Sequence, residues 1–278
     1  MTSEPRLRED YSARQVEAAR RALVDVWQVL GAYADCLVVV GGWTPDLLLP
    51  HPKEPHVGSI DVDLALDAAK LNDGRYADLL KLLLDTRRYS KGAKDFQFVT
   101  VVDLHDGGTP VQVEVEFLAS KEVKLKKHKP QLLAGFRVLQ ADACAAAFHA
   151  PVEQTLEGRN VKGAMNTVRL RVASLADFLV MKAHAIHGRD KPKDAYDFCY
   201  CLDEHPDGIE VLAKDWQGRK GERDVAKALM ILREKFSAVE AFGPQQVVEF
   251  YHASNPEERD MQARRAYELV QHFLALVG

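Results

Sequence analysis

The sequence predicts an α+β fold, with a mixed β-sheet in residues 1–172 and a helical region over 173–278. Three observations carry this. Short β-branched or strictly alternating runs, CLVVVGG at 36–42, IDVDLALD at 60–67 and VQVEVEFL at 111–118, all fall in the first part. From Ser174 onward apolar residues recur at spacings of three and four, with no convincing strand. A hydrophobic fraction of 47% over 278 residues is enough for one large domain or two ordinary ones, each with a buried core.

The elements follow in order. Residues 12–34 read as a helix: Ser12 can cap it, and Val16, Ala19, Leu23, Val26, Trp27 and Leu30 form its apolar face until Gly31 ends the pattern. CLVVVGG reads as a buried strand closed by a tight turn. Trp43 to Leu49 can make one or two helical turns, which Pro50 stops, and Pro50, Pro52 and Pro55 make the next segment a loop. In IDVDLALD, Ile60, Val62, Leu64 and Leu66 share one face while Asp61 and Asp63 share the other. A helix is expected over 73–88, then strands near 95–103 and 111–119 joined by DGGTP, a strand in GFRVLQAD at 135–142, and a hairpin in VKGAMNTVRLRVA at 161–173. SLADFLVMKAHAIHGR, capped by Ser174, and DAYDFCYCLDEH after Lys191-Pro192-Lys193 read as helices, with three or four more to Gly278.

Composition narrows the function. With 37 basic and 41 acidic side chains, net charge −4, the chain is not a generic polyanion binder, so a nucleic-acid contact would need a local basic patch. The stretch Lys121–Lys129 is such a patch, or else a solvated loop. Four cysteines do not make a disulfide framework; Cys36, Cys144, Cys199 and Cys201 are expected as buried small hydrophobes. The charged N-terminus lacks a secretory apolar segment, and the longest apolar runs fall short of the ~20 residues that span a bilayer. The expectation is a reduced, soluble, cytoplasmic protein with no membrane segment.

The chemistry centres on Asp61-Val62-Asp63. Two carboxylates side by side on a strand repel, and such a pair suits a solvated face or a bound cation. Mg²⁺ takes one or two carboxylates together with substrate phosphates. Gly41-Gly42 and Gly58-Ser59 precede acidic positions, and glycines let backbone N–H groups approach phosphate. Glu114 and Glu116 lie on one face of a later strand, opposite Val113, Val115 and Phe117; either could supply a third carboxylate, and Glu116, followed by Phe117 and Leu118, is preferred. Three carboxylates would complete a two-metal site. His184 and His187 lack an H-E-x-x-H pattern and read as a helix-surface pair, and no P-loop, nucleophile-elbow or kinase motif is present.

With these residues in view, the chain resembles a family. Gly41-Gly42, then GSIDVDLAL at 58–66 and a later acidic strand, are similar to the nucleotidyltransferase core of the DNA polymerase β superfamily. The block VASLADFLVMKAHAIHGRDKPKDAYDFCYCL at 172–202 resembles the AbiEii/AbiGii toxin nucleotidyltransferases of type IV toxin–antitoxin and abortive-infection systems. The resemblance implies that Asp61, Asp63 and Glu116 bind Mg²⁺, as one or two ions. It implies that Gly41, Gly42, Gly58 and Ser59 shape the triphosphate pocket, that Lys182 with Arg189 neutralises the triphosphate, and that Asp194 assists or orients Lys182. Asp197 would be structural, paired with Lys193 or Arg189. The family's arginine four residues before the first aspartate is Val57 here, which leaves His56 and Lys53 as neighbouring cations for that phosphate contact.

The activity so implied is Mg²⁺-dependent transfer of a nucleoside monophosphate from an NTP to a hydroxyl, on RNA such as the 3′ end of tRNA, by a toxin with a cognate antitoxin protein. Two alternatives stand beside it. One is transfer to a small molecule of the aminoglycoside type or to a protein side chain; the other is a non-catalytic protein of the same fold that only binds a partner.

Overall fold

The computed structural model describes residues 5–49, 51–67, 70, 73–94, 96–120 and 139–278. The Lys121–Lys129 stretch and the first part of the strand expected at 135–142 lie outside the described residues. The chain divides into two compact units. A sheet unit comprises Ser12–Thr44 and Gly58–Ser174; a helical unit comprises Met1–Tyr11, Pro45–Val57 and Leu175–Gly278.

The sheet unit opens with α1 (Ala13–Val29). Ser12 caps it through a capping box with Gln15, satisfying amide donors that the first turn leaves without partners. Its apolar face buries Ala19, Leu23 and Val26, and Gly31 begins a 3-10 turn that ends at Cys36. Strands follow at β1 (Leu37–Val40), β2 (Asp61–Leu66), β3 (Tyr89–Lys91), β4 (Gln97–Val102), β5 (Val111–Ser120), β6 (Leu139–Ala141), β7 (Val152–Arg159) and β8 (Met165–Val172). Helices α2 (Trp43–Leu48) and α3 (Asp73–Asp85) follow β1 and β2 respectively.

The eight-stranded sheet runs β3-β4-β5-β2-β1-β8-β7, with β6 added on β5. It is mixed as expected: β2–β5, β1–β8 and β5–β6 are parallel, and the other pairs antiparallel. Asp25 of α1, fully buried, accepts hydrogen bonds from Tyr89 Oη (2.9 Å) and Arg88 Nη1 (2.7 Å), which ties the helix to the sheet.

One strand escapes a reading of the sequence. The hairpin expected within 161–173 pairs β8 with β7 instead, and the turn falls between Arg159 and Met165. β7 is an edge strand in which only Leu156 is buried, so its sequence VEQTLEGR carries too little apolar alternation to announce a strand.

The helical unit holds α4 (Leu175–Gly188), α5 (Pro192–Glu204), α6 (Ile209–Arg219), α7 (Arg223–Lys235), α8 (Phe242–Tyr251) and α9 (Pro256–Val277). Pro192 takes the first position of α5, where its missing N–H costs nothing. Phe198, Trp216, Phe236 and Phe273 meet in its core, mostly edge to face, and Trp216 Nε1 donates to the Ala176 carbonyl. The segments up to Tyr11 and over 45–57 cluster with these helices, not with the sheet expected to take all of residues 1–172. Their anchors are scattered side chains, which no periodicity reveals. Arg6 bonds Glu249 and Asp190, the Tyr11 ring meets Phe250 at 5.9 Å, and Tyr200 Oη donates to the Glu54 carbonyl. Among the described residues no helix is long and apolar enough to cross a membrane.

Candidate active site

The residues singled out by sequence fall into two clusters, one in each unit. In the sheet unit, β2 and β5 run parallel in a register that sets Asp61 beside Glu114 and Asp63 beside Glu116. Four carboxylates thus form two rows on one face of the sheet, while Val62, Leu64, Val113, Val115 and Phe117 are buried on the other. Ser59, only 3% exposed, donates its hydroxyl to Asp61 Oδ1 at 2.6 Å. Trp43 Nε1 donates to the Asp61 carbonyl at 2.7 Å. Ser59 therefore acts on Asp61, holding one oxygen in place.

The two glycine positions have different reasons. Val40 lies opposite Asp63, and Gly41 follows with φ +71°; a Cβ there would come 2.2 Å from Asp63 Oδ2. Only glycine both adopts that backbone and leaves the carboxylate its space. Gly42 is buried just before α2, which is only six residues long. Gly58 also has positive φ (+78°), but its missing side chain makes room for α1, since a Cβ there would lie 2.5 Å from Val16 Cγ1. Gly58 thus has a packing reason for its missing side chain.

The donors suit Mg²⁺ in kind. Asp61 and Asp63 offer the one or two hard carboxylate oxygens that this ion takes alongside phosphate. The expected third ligand does not join them: among the described residues no group of three or more His, Cys, Asp or Glu side chains is arranged to hold a metal. Glu116 Oε1 is instead engaged by Gln97 Nε2 (3.0 Å) and Lys94 Nζ (3.3 Å), and Gln97 Nε2 also donates to Glu114 Oε2 (2.7 Å). Sequence reasoning misses Gln97, because its role depends on the β4–β5 register, which no local pattern encodes.

In the helical unit the second motif closes on itself. Lys182 Nζ lies 2.7 Å from Asp194 Oδ1 and 2.7 Å from Asp197 Oδ2, with its side chain 9% exposed. Arg189 donates through Nε and Nη2 to both oxygens of Asp194, at 2.7 and 3.0 Å. Lys193 Nζ lies 2.7 Å from Asp197 Oδ1, and His56 Nε2 donates to that same oxygen at 2.9 Å. Burial pushes both aspartates up, but Lys182, with Arg189 for one and Lys193 for the other, outweighs it and holds both carboxyls below their ordinary range. For Lys182, burial pulls down while Asp194 and Asp197 push up, and the aspartates win; Lys193 ends below its ordinary value, burial being the larger effect.

Lys182 Nζ sits against two buried carboxylates, and Arg189 grips the same Asp194 carboxylate, so these residues meet in an internal ion cluster. Asp197 pairs with Lys193, as the sequence suggests, and also with Lys182. His56 is no phosphate cation: burial, with Lys193 nearby, lowers it to about 4, so its ring is neutral at pH 7. It stacks against Tyr196 at 5.6 Å. His184 is buried rather than on the helix surface, and its Nε2 donates to the Asp224 carbonyl at 2.9 Å. The four cysteines are buried and free, as expected.

A glycine turn set against a D-x-D strand, on a mixed sheet whose neighbouring parallel strand is also acidic, is the arrangement of a nucleotidyl-transfer enzyme. The chain belongs to the family described as nucleotidyl transferase AbiEii toxin, Type IV TA system, whose model matches residues 21–268. The match runs past both motif blocks into α9. Membership makes the chain a nucleotidyltransferase of a toxin family, which implies a nucleotide substrate and a cognate antitoxin. Among solved structures the chain is similar to the crystal structure of JHP933 from Helicobacter pylori, with 11% sequence identity, a TM-score of 0.40, and coverage of 95% of this chain and 93% of that one. No curated protein matches the chain.

Proposed function

We propose that the protein transfers a nucleoside monophosphate from an NTP to a hydroxyl of an RNA acceptor, such as the 3′ end of tRNA, and that it requires Mg²⁺. The acceptor hydroxyl gives up its proton to solvent as its oxygen bonds to the α-phosphorus, the bond from that phosphorus to the bridging oxygen breaks, and pyrophosphate leaves with that bond's electron pair. Mg²⁺ when bound would offset negative charge on the phosphate oxygens. The observation that carries the proposal is the Asp61/Asp63 pair held beside Gly41 on the sheet face. Ser59 fixes one oxygen of Asp61 by a hydrogen bond, and Gly41 keeps the backbone tight against Asp63 without blocking it. Preorganised anions of this kind need no rearrangement when the cation arrives. An RNA acceptor is supported by the family's role as a toxin and by the Lys121–Lys129 stretch, whose charge could track a phosphate backbone in an acidic protein.

The test incubates the full chain with each α-labelled NTP, Mg²⁺ and, separately, total tRNA, proteins and aminoglycosides. Label is expected on tRNA, lost on adding a chelator and lost in Asp63→Asn. Label on protein or antibiotic alone would move the acceptor class, and label surviving in Asp63→Asn would remove the carboxylate pair from the reaction.

A further inference from the structure

A cavity of about 430 Å³ lies within the helical unit, where the end of α5, the start of α6 and the side of α9 meet the segment over 45–57. Its size is that of a small-molecule site. Leu202 of α5, Ile209 of α6 and Leu269 of α9 give it an apolar wall; Leu202 is 2% exposed and Ile209 8%. The rest of the wall carries both signs of charge. Lys53 N donates to Glu204 Oε2 at 2.6 Å, which fixes that carboxylate at the last residue of α5. Glu210 stands in the first turn of α6, and Gly208, with φ +84°, leaves it room: a Cβ there would lie 2.5 Å from Glu210 Oε2. Among the described residues the Lys53 ammonium has no carboxylate at ion-pair distance and Glu210 has no cation, although both line this cavity. His205, also in the wall, adds little charge at pH 7, because burial pulls it below its ordinary 6.5.

Opposite charges that share a cavity without meeting select the ligand's chemistry. A metal ion does not fit: among the described residues no three His, Cys, Asp or Glu side chains are arranged to hold one, those of this cavity included. A plain amine would answer Glu204 and Glu210 and repel Lys53, and a plain carboxylate would do the reverse. A zwitterion with an aliphatic body answers all three parts of the wall, with its charges placed on groups of opposite sign. We propose that this cavity binds a free α-amino acid with an aliphatic side chain. Its ammonium meets Glu204 and Glu210, its carboxylate meets Lys53, and its side chain packs on Leu202, Ile209 and Leu269. These residues belong to a different unit from Asp61 and Asp63, so the inference stands independently of the proposed nucleotidyl transfer.

The test is isothermal titration calorimetry of the full-length protein at pH 7 with three probes: L-leucine, 3-methylbutylamine, which lacks the carboxylate, and 4-methylpentanoate, which lacks the ammonium. Wild type, Lys53→Met and Glu210→Gln are compared. Lys53→Met removes the ammonium and keeps the backbone N–H that holds Glu204, and Glu210→Gln keeps the side chain's shape. Leucine is expected to bind wild type at one molecule per chain. Each one-charge analogue should bind wild type about tenfold more weakly, as should leucine each variant, a loss equivalent to ~1.4 kcal/mol. The pairing gives a sharper signature. Lys53→Met should not weaken 3-methylbutylamine, which has no carboxylate to lose, and Glu210→Gln should not weaken 4-methylpentanoate. No heat with leucine on folded wild type overturns the proposal. So does an amine that binds as tightly as leucine, which would make this a site for basic groups alone, or a leucine affinity within about twofold of wild type in both variants. Should a variant fail to fold, the three probes on wild type decide.

Discussion

Replacing Lys182 by methionine separates a structural from a substrate-facing lysine. Methionine keeps much of the apolar stem that packs near Phe178 and removes the ammonium, leaving Asp194 and Asp197 buried with one cation fewer between them. Removing one partner of a buried ion pair costs about 3–5 kcal/mol, because the remaining charge is left without compensation. Here each aspartate keeps a cation, Arg189 on Asp194 and Lys193 on Asp197, so the lower end of that range, ~3 kcal/mol, is the appropriate figure. For a protein of this size that corresponds to a fall of about 6–12 °C in Tm. The control is Asp63→Asn, which removes one of several like charges on a half-buried sheet face; its Tm should stay within ~2 °C of wild type while transfer is lost. Differential scanning calorimetry of both variants, beside the labelled-NTP assay, gives the comparison. A Lys182→Met protein that melts with wild type yet transfers no nucleotide would refute the internal role and return Lys182 to the triphosphate.

Three further outcomes follow from single sites. His56 is depressed to about 4 from an ordinary 6.5, so the unfolded chain takes up a proton that the folded chain refuses; stability is full above pH 6.5 and falls by up to ~3 kcal/mol as pH drops toward 4. In urea titrations at pH 7 and pH 4.5, His56→Gln should flatten that part of the profile, and an unchanged slope would contradict the buried neutral ring. Gly41→Ala forces a Cβ onto Asp63 Oδ2 and a strained positive φ; it should cost ~1–3 kcal/mol in denaturant and abolish transfer, and retained activity would show that the carboxylate has other room. Burial pushes the Cys144 and Cys199 thiols up to about 12, so native protein at pH 8 should resist iodoacetamide until it unfolds; rapid stoichiometric alkylation would place either thiol at the surface.

Periodic features are legible in the sequence. Ser12, Gly31, the alternation around Asp61 and Asp63, and the helical spacing after Ser174 each rest on a local rule, and α1, β2 and α4 begin within a residue of the positions those rules give. What stays hidden depends on tertiary placement. β7 lacks the alternation that marks a strand because one of its edges is unpaired in the sheet and only Leu156 is buried. The segment over 45–57 goes to the helices through Tyr200 and His56, contacts between residues more than a hundred positions apart.

The same limit explains why the two acidic motifs look alike in sequence and differ in the fold. D-x-D on a strand and D-x-x-D on a helix both place two carboxylates on one face. What each pair does is decided by the positive groups the fold brings up to it. Around Asp194 and Asp197 it brings Lys182, Arg189 and Lys193, whose charges more than offset two carboxylates at hydrogen-bond distance, so this cluster is already compensated and needs no further cation. Around Asp61, Glu114 and Glu116 the bonds include neutral donors, the Ser59 hydroxyl and the Gln97 amide, together with the exposed Lys94. A hydrogen bond from a neutral donor orients a carboxylate oxygen without neutralising it, which suits the divalent cation proposed for this face. The charge-compensated second motif therefore contributes to the stability of the helical unit, and the first, whose bonds include neutral donors, is the one to which the proposed chemistry is assigned.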